Sequence, residues 1–216
     1  MIKLIFFDVD GTLVDSEEVI LRSFDYAFKE NLPERRLPLK EYSQFLGPVL
    51  YDTFSRFTKD EDKINTMVTD FIQYYRIIEP KLISLYPKVD EALKRLKDEG
   101  YILLVLTNKY KTSVLPSLNY LNIIGYFDDI YAFGMAERPK PYPDLINMAL
   151  ERYNIKRDEA LMVGDNTVDV YSARNANIKC ALVSYNEWSE EAKKETNPDY
   201  YIDDISEIIN IVKEIK

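Results

Sequence analysis

Five short apolar runs, separated by amphipathic stretches, constrain the fold of this 216-residue chain more than any other sequence feature. Near-continuous apolar strands that alternate with helices are typical of a parallel sheet covered by helices on both faces. The predicted strands lie at residues 2–7, 102–106, 129–133, 160–163 and 180–183. The sequence therefore predicts an α/β fold with a parallel sheet flanked by helices.

Helical patterns fill most of the intervals between these runs. The clearest spans residues 88–99, with Pro87 near its start, apolar side chains on one face and Gly100 as its stop. Further helices are predicted at residues 110–121, 143–153, 167–175 and 204–216.

The segment from Ser16 to Ser84 breaks this rhythm, because it contains no convincing strand, several helical stretches and many aromatic residues. We expect a small all-helical domain, inserted after the first strand as a cap over the edge of the sheet. Residues 1–15 and 85–216 would then form the core domain, and residues 16–84 the cap. The helical stretches of the cap are predicted at residues 17–29, 39–45, 50–58 and 60–76.

The charge balance limits the class of partner. The formal net charge is -9 and the sequence pI is about 4.8. Duplex nucleic acid requires a basic stripe that neutralises phosphates, so we expect no nucleic-acid partner. An anionic small molecule remains compatible, because a few local cations and a metal ion can reverse the field inside one cleft.

The chain has no histidine, and Cys180 is its only cysteine. Catalytic triads with histidine, histidine-ligated zinc and histidine general bases are therefore excluded. Catalysis must come from carboxylates, hydroxyls, amines or a metal ion held by oxygen ligands. A single cysteine within an apolar run indicates a core thiol and a reducing compartment. No apolar run approaches the roughly 18 residues of a membrane span, so we expect a soluble, cytoplasmic protein.

Polar side chains follow several of the predicted strands. In an open parallel sheet, ligands bind beyond the carboxyl ends of the strands, so these side chains are expected at one rim. A further loop places a lysine between two prolines, which stiffen the backbone around it. The residues concerned are Asp8, Asp10, Thr107, Asn108, Lys140, Asp165 and Asp169.

Each of these features also has a purely structural interpretation. The segment 8–12 could be an Asx-type turn, and the segment 165–169 could be a helix N-cap followed by acids of the first turn. Thr107 could be a cap, and Lys140 could be a solvated surface residue. Their common position at strand ends favours a shared site, since two acids two residues apart can converge on one ion or phosphoryl group.

Four ordered segments resemble the motifs of the haloacid dehalogenase superfamily: DVDGT at 8–12, TNK at 107–109, KP at 140–141 and GDNTVD at 164–169. The insertion resembles the helical C1-type cap of the phosphoglycolate phosphatase-like branch. The resemblance implies a Rossmann-like core with that cap. Two departures are Asn177, where relatives commonly have glycine, and Ser184-Tyr185, which replaces a Trp-Gly-like pair.

The resemblance also implies roles for the acids. Asp8 would attack phosphorus and become an aspartyl-phosphate. Asp10 would protonate the leaving oxygen and then deprotonate the water that hydrolyses the intermediate. Mg²⁺ would be held by the Asp8 carboxylate, the Asp10 backbone carbonyl and Asp165, with Asp169 in or beside this ligand set.

Substrate contacts are implied in the same way. Thr107 would donate its hydroxyl to the phosphoryl oxygens, and Lys140 would offset negative charge on Asp8 and on the phosphoryl group. Gly11, Asn108 and Gly47, the last in a cap loop, complete the predicted substrate-binding set.

We therefore expect a Mg²⁺-dependent phosphatase that hydrolyses a small phosphorylated metabolite, with a phosphoglycolate-like compound as the first candidate. The acid at Asp10 disfavours a dehalogenase, whose leaving halide needs no proton. A pyrophosphatase, a nucleotide phosphatase, a β-phosphoglucomutase-like phosphomutase and an inactive regulatory or binding protein remain alternatives. The expected state is a monomer or a homodimer, without a membrane partner.

Overall fold

Residues 1–185 and 194–215 are described in a computed structural model, in which the chain divides into two compact units. One unit consists of Met1–Asp15 and Leu85–Lys216, and the other is Ser16–Ser84. Within the described residues, no helix combines the length and the apolar character that crossing a membrane requires.

A six-stranded sheet forms the centre of the first unit, and every neighbouring pair of its strands is parallel. Its strands are β1 Leu4–Phe7, β2 Ile102–Tyr110, β3 Asp129–Phe133, β4 Ala160–Gly164, β5 Lys179–Val183 and β6 Tyr200–Ile202. They are ordered β3-β2-β1-β4-β5-β6 across the sheet, which is the strand order of a doubly wound Rossmann-like sheet. The predicted α/β fold is therefore confirmed.

The α-helices occupy the intervals in which the sequence predicts them. Their bounds are α1 Glu17–Asn31, α2 Leu50–Phe54, α3 Glu61–Leu82, α4 Val89–Asp98, α5 Lys111–Tyr120, α6 Asp144–Tyr153, α7 Thr167–Asn175 and α8 Ile208–Glu214. Short 3₁₀ helices lie at Pro33–Arg35, Leu39–Phe45, Ile124–Tyr126, Arg157–Glu159 and Ile205–Glu207.

Helix α4 shows how local sequence sets an element's ends. It begins after Lys88, a non-glycine residue with φ +65°, and its apolar stripe is buried. Gly100, at φ +87°, adopts the left-handed conformation that terminates helices at little steric cost. The predicted start and stop are therefore both close to the observed ones.

Strand β1 places the first acid at the centre of the sheet edge. All four of its residues are buried, and Phe7 is paired with Val105 of β2 and with Val163 of β4. The next backbone N–H, that of Asp8, donates to the Val163 carbonyl at 2.9 Å. Asp8 consequently leaves the sheet between its two neighbouring strands.

The second unit is organised around aromatic side chains. The ring of Phe24 lies 4.7–6.1 Å, centroid to centroid, from the rings of Tyr42, Phe45, Phe54 and Phe71. Phe24, Tyr42 and Phe54 are almost completely inaccessible to solvent. A buried aromatic side chain typically removes about 150–250 Å² of surface from water, so these rings contribute strongly to the core of this unit.

Several boundaries differ from the predicted ones. Strand β2 continues past residue 106 to Tyr110, with a register shift between Leu106 and Tyr110, because pairing resumes beyond the polar residues. Helix α3 runs to residue 82 rather than 76, with Pro80 in its last turn. Residues 39–45 form a 3₁₀ helix, and the predicted final helix begins as the 3₁₀ turn Ile205–Glu207.

A small separate sheet and one strand of the main sheet were not predicted. The two-residue strands Val14–Asp15 and Ser84–Leu85 form a separate two-stranded sheet, so residues 16–84 are not entirely free of strand. The sixth strand of the main sheet, Tyr200–Ile202, has only three residues, too few for a run or an alternation to be recognised.

The sixth strand offers a paired stability test, because Ile202 is 1% exposed and its neighbour Tyr201 is 48% exposed. Replacing a buried isoleucine by alanine removes packed methyl groups and leaves a cavity. We expect Ile202→Ala to lower the free energy of unfolding by about 2–5 kcal/mol. Tyr201→Ala should cost about 1 kcal/mol or less. Urea denaturation measures both, and equal losses would contradict the inward orientation of Ile202.

Candidate active site

Four of the predicted side chains meet at the carboxyl edge of the sheet. Asp8 follows β1, Asp165 follows β4, Asp169 lies in the first turn of α7, and Lys140 lies in the loop between β3 and α6. All four are buried. Residues from three separate segments thus form one charged cluster.

The Lys140 ammonium is the centre of this cluster. Its Nζ lies 2.6 Å from Asp169 Oδ1, 2.9 Å from Asp8 Oδ1 and 3.0 Å from the Leu106 carbonyl oxygen, and its side chain is 1% exposed. An ammonium has three protons to donate, so each has an acceptor. The structural alternative of a solvated surface lysine is therefore wrong.

Burial and charge have opposing effects on these groups. Burial lowers the pKa of Lys140, but the carboxylates of Asp169 and Asp8 outweigh it and raise the pKa above its ordinary value, so the ammonium stays protonated. Burial raises the pKa of Asp8 to about 7, against the opposing charge of Lys140, and the charge of Asp169 adds to the rise. One ammonium does not offset the cost of burying several carboxylates together.

Asp169 is held from two sides. Its Oδ1 accepts from Lys140, while its Oδ2 accepts from the backbone N–H groups of Asp165 at 3.2 Å and Asn166 at 3.0 Å. Asn166 caps α7 in turn, since its side chain accepts from the Val168 N–H. The Asp169 carboxylate therefore both caps the start of α7 and takes part in the charged cluster, so the two interpretations of this segment are compatible.

Gly164 makes this arrangement sterically possible, although sequence reasoning did not place it in the site. A Cβ atom added to Gly164 would lie closer than 3.0 Å to three side-chain atoms of Asp169, a separation that real Cβ atoms do not show. The sequence does show a glycine immediately before Asp165. Its steric role, however, depends on how closely α7 approaches the end of the strand, which the sequence does not reveal.

The carboxylates are arranged so that they could hold a metal ion. One oxygen each from Asp8, Asp165 and Asp169 lies within 4.8 Å of the others. The Thr12 hydroxyl donates to Asp165 Oδ1 at 2.9 Å, which orients that carboxylate. Oxygen donors of this kind suit a hard divalent cation, and three carboxylates beside one ammonium leave a formal negative charge for it to neutralise.

The predicted phosphate-binding residues after Leu106 have defined partners. The Asn108 side chain accepts from the Lys140 N–H at 2.9 Å and donates to the Lys140 carbonyl at 3.0 Å, so its amide fixes the lysine loop. The Thr107 Oγ1 accepts from the Lys109 N–H at 3.1 Å, which leaves the hydroxyl proton available to another acceptor. Substrate contacts of Thr107 and Asn108 stay predictions.

Asp10 has a basic neighbour that sequence reasoning did not include. The Lys109 ammonium lies 3.3 Å from Asp10 Oδ1 and 3.4 Å from Ser117 Oγ. The side chains of Asp10 and Lys109 are 22% and 12% exposed to solvent, so this ion pair is more accessible than the Lys140 cluster. The TNK segment contained the signal, but the sequence alone does not show that its lysine reaches the first motif.

The two predicted glycines occupy different units. Gly11, at φ +80°, shapes the turn after β1, and its N–H donates to the Val14 carbonyl at 2.9 Å. Gly47, at φ +99°, belongs to the unit Ser16–Ser84. Their contacts with substrate stay predictions.

Comparison with known proteins establishes the family. The family model for haloacid dehalogenase-like hydrolases matches residues 5–183, which includes every element of the charged cluster. The chain belongs to the haloacid dehalogenase-like hydrolases. The expected superfamily and the expected enzyme class, a hydrolase, are thereby confirmed.

Relatives extend the similarity to almost the full chain. A protein from Halalkalibacterium halodurans named pyrophosphatase PpaX is 30% identical over 211 residues, covering 98% of this chain and 97% of its own. The crystal structure of a predicted phosphatase from Clostridium acetobutylicum has 27% identity and a TM-score of 0.86, covering 99% and 100% of the two chains. That of a predicted phosphoglycolate phosphatase from Haemophilus somnus has 28% identity and a TM-score of 0.84, covering 97% of both.

The close approach at Gly164 yields a stability prediction. Gly164→Ala forces the Asp169 side chain or the start of α7 to move, so it should lower the free energy of unfolding by about 1–3 kcal/mol. Gly125→Ala is the matched control, because a Cβ at Gly125 meets nothing within 4 Å. The control should change stability by about 0.5 kcal/mol or less. Equal values for the two variants in urea denaturation would refute the steric role of Gly164.

Proposed function

We propose that this protein is a Mg²⁺-dependent phosphatase that hydrolyses a small phosphorylated metabolite through a covalent intermediate on Asp8. The observation that carries the proposal is the buried ion pair of Asp8 with Lys140, beside the carboxylates of Asp165 and Asp169. A carboxylate held in this way has one face fixed by a cation while its second oxygen remains to react. Membership of the hydrolase family and relatives named as phosphatases support the same reaction class.

In the first step, an Asp8 oxygen attacks the phosphorus atom, and the bond between phosphorus and the leaving oxygen breaks. The leaving oxygen takes a proton from Asp10, so that the product departs as an alcohol or an acid rather than as an oxyanion. Asp10 is suited to this role because it lies two residues beyond Asp8 and is partly exposed. Lys140 stabilises negative charge on Asp8 and on the phosphoryl oxygens without moving, since its three contacts are already made.

In the second step, Asp10 accepts a proton from a water molecule as the water oxygen attacks phosphorus. The bond between phosphorus and the Asp8 oxygen breaks, and inorganic phosphate leaves. Asp8 is regenerated as a carboxylate, and Asp10 is again protonated. The Thr107 hydroxyl is proposed to donate to a phosphoryl oxygen during both steps.

The residues fit a Mg²⁺ ion. Asp8, Asp165 and the Asp10 backbone carbonyl are the proposed ligands, and Asp169 lies beside them as the partner of Lys140. When bound, the ion neutralises charge that the carboxylates and the phosphoryl group share, which allows an anionic nucleophile to approach an anionic substrate.

Two substrate classes are favoured, a phosphoglycolate-like monoester and inorganic pyrophosphate. In both, the group attached to the transferred phosphoryl is itself an anion, and the Lys109 ammonium beside Asp10 provides a cation near the departing group. The relative named pyrophosphatase PpaX supports the second class, and the structure named as a phosphoglycolate phosphatase supports the first. We propose that the unit Ser16–Ser84 acts as the cap that selects between such substrates, with Gly47 in its substrate loop.

The proposal predicts metal-dependent phosphate release. Protein treated with a chelator should be inactive toward p-nitrophenyl phosphate, phosphoglycolate, pyrophosphate and nucleotides, and Mg²⁺ should restore turnover. Asp8→Asn should lower kcat by at least about 10³-fold, because it removes the nucleophile. Asp98→Asn, on an exposed face of α4, is the control and should leave kcat unchanged.

Phosphate release measured across this panel separates the candidates. A higher kcat/KM for pyrophosphate than for phosphoglycolate would assign the pyrophosphatase alternative. Conversion of a sugar phosphate into its isomer without phosphate release would indicate a mutase. Metal-independent turnover, or full activity of Asp8→Asn, would refute the proposed mechanism.

A further inference from the structure

Tyr185 forms a contact that reaches the metal-binding carboxylates indirectly. It lies two residues beyond β5, where the family resemblance leads one to expect a Trp-Gly-like pair. Its hydroxyl donates to the backbone carbonyl oxygen of Thr12. The same Thr12 donates its side-chain hydroxyl to Asp165 Oδ1 at 2.9 Å. One residue thus connects the phenol to the carboxylate.

The strand order makes this connection span the site. In the sheet, β4 lies between β1 and β5, and Asp165 follows β4. Tyr185, two residues beyond β5, therefore hydrogen-bonds to the turn after β1 across the end of β4, where Asp165 follows. Its contact ties together the loops on either side of that carboxylate.

The turn that contains Thr12 is fixed by other contacts as well. The N–H groups of Leu13 and Val14 both donate to the Val9 carbonyl at 2.9 Å, and the Tyr86 N–H donates to the Leu13 carbonyl at 3.1 Å. The Leu13 N–H lies in the same planar peptide unit as the Thr12 carbonyl, so its bond to Val9 also restrains that carbonyl. The Tyr185 hydroxyl supplies the hydrogen-bond partner on the carbonyl side of this peptide unit.

Aromatic packing and protonation keep the phenol in place. The rings of Tyr185 and Tyr86 lie 4.5 Å apart, centroid to centroid. Burial raises the pKa of Tyr185, and the nearby charge of Asp165 adds to the rise, so the hydroxyl retains its proton at neutral pH. A neutral phenol remains a hydrogen-bond donor.

We propose that Tyr185 is a positioning residue for the metal site: through Thr12, it sets the orientation of the Asp165 carboxylate. The inference rests on the proposed function, because it assumes that Asp165 binds Mg²⁺. Tyr185 binds Thr12, and the Thr12 hydroxyl binds Asp165, so the effect of Tyr185 is expected to pass through that hydroxyl. Partners that orient a metal ligand typically change metal affinity by about 10–100-fold when they are removed.

Mg²⁺ binding to the metal-free protein, followed by isothermal titration calorimetry, tests this role without any turnover. Tyr185→Phe keeps the ring and removes only the hydroxyl, and it should raise the Kd for Mg²⁺ by about 3–10-fold, less than a direct partner because one residue intervenes. Tyr126→Phe is the matched control. It removes a tyrosine hydroxyl of the same unit that donates to Asp90 at 2.9 Å. Asp90 is not one of the proposed metal ligands, so the Kd should be unchanged.

Variants of Thr12 test the second half of the connection independently. Thr12→Val removes the hydroxyl at nearly constant volume and should raise the Kd by about 10–100-fold, whereas Thr12→Ser retains the hydroxyl and should bind nearly as tightly as wild type. The double variant Tyr185→Phe with Thr12→Val should bind no more weakly than Thr12→Val alone, because both act through one hydrogen bond to Asp165.

The outcomes separate this inference from the proposed function. Wild-type affinity in Tyr185→Phe, or effects that add fully in the double variant, would overturn the positioning role while leaving the metal site intact. Loss of thermal stability in Tyr185→Phe with an unchanged Kd would show a structural role only and would equally overturn it. Absence of Mg²⁺ binding by the wild-type protein would overturn the metal site itself, and with it this inference.

Discussion

The buried Lys140 ammonium is the interaction on which the rest of the site depends. Its three acceptors are Asp8 after β1, the Leu106 carbonyl in β2 and Asp169 in α7, so one side chain joins three segments that are distant in sequence. Removing one partner of a buried ion pair typically costs about 3–5 kcal/mol, because the other charge is left without compensation. The contacts with Lys140 therefore fix the relative positions of these three segments.

Several neutral residues position Lys140 and the carboxylates around it. Asn108 fixes the Lys140 backbone with both ends of its amide, and Gly164 allows Asp169 to approach the end of β4. Thr12 orients the remaining acid, Asp165. These residues determine where the charged groups lie, and a site of this kind depends on such support for its geometry.

The sequence predicted the parts of this arrangement that depend on local pattern. The apolar runs identified five strands of the parallel sheet, and the acids at their ends identified the edge at which Asp8 and Asp165 meet. The sixth strand, Tyr200–Ile202, was missed because three residues do not establish a periodicity. The extension of β2 was missed because the residues that follow Leu106 are polar and their pairing is irregular.

The supporting contacts could not be predicted, because they depend on distances between segments. That Lys109 reaches Asp10, and that Tyr185 reaches Thr12, follows only from the strand order and the path of each loop. The substrate contacts of Gly47 and the division of the chain into core and cap by function stay predictions. A local sequence pattern does not predict which residues of a loop will contact a ligand.

Trapping the covalent intermediate tests most directly whether Asp8 is the nucleophile. In Asp10→Asn, the leaving p-nitrophenolate needs no proton, but the water that completes turnover lacks its base, so the aspartyl-phosphate should accumulate. Borohydride reduction during incubation with p-nitrophenyl phosphate and Mg²⁺ should then convert residue 8 into homoserine, detected by tandem mass spectrometry of the peptide. A burst of p-nitrophenol with residue 8 unmodified, or reduction of a different acid, would contradict the proposed mechanism.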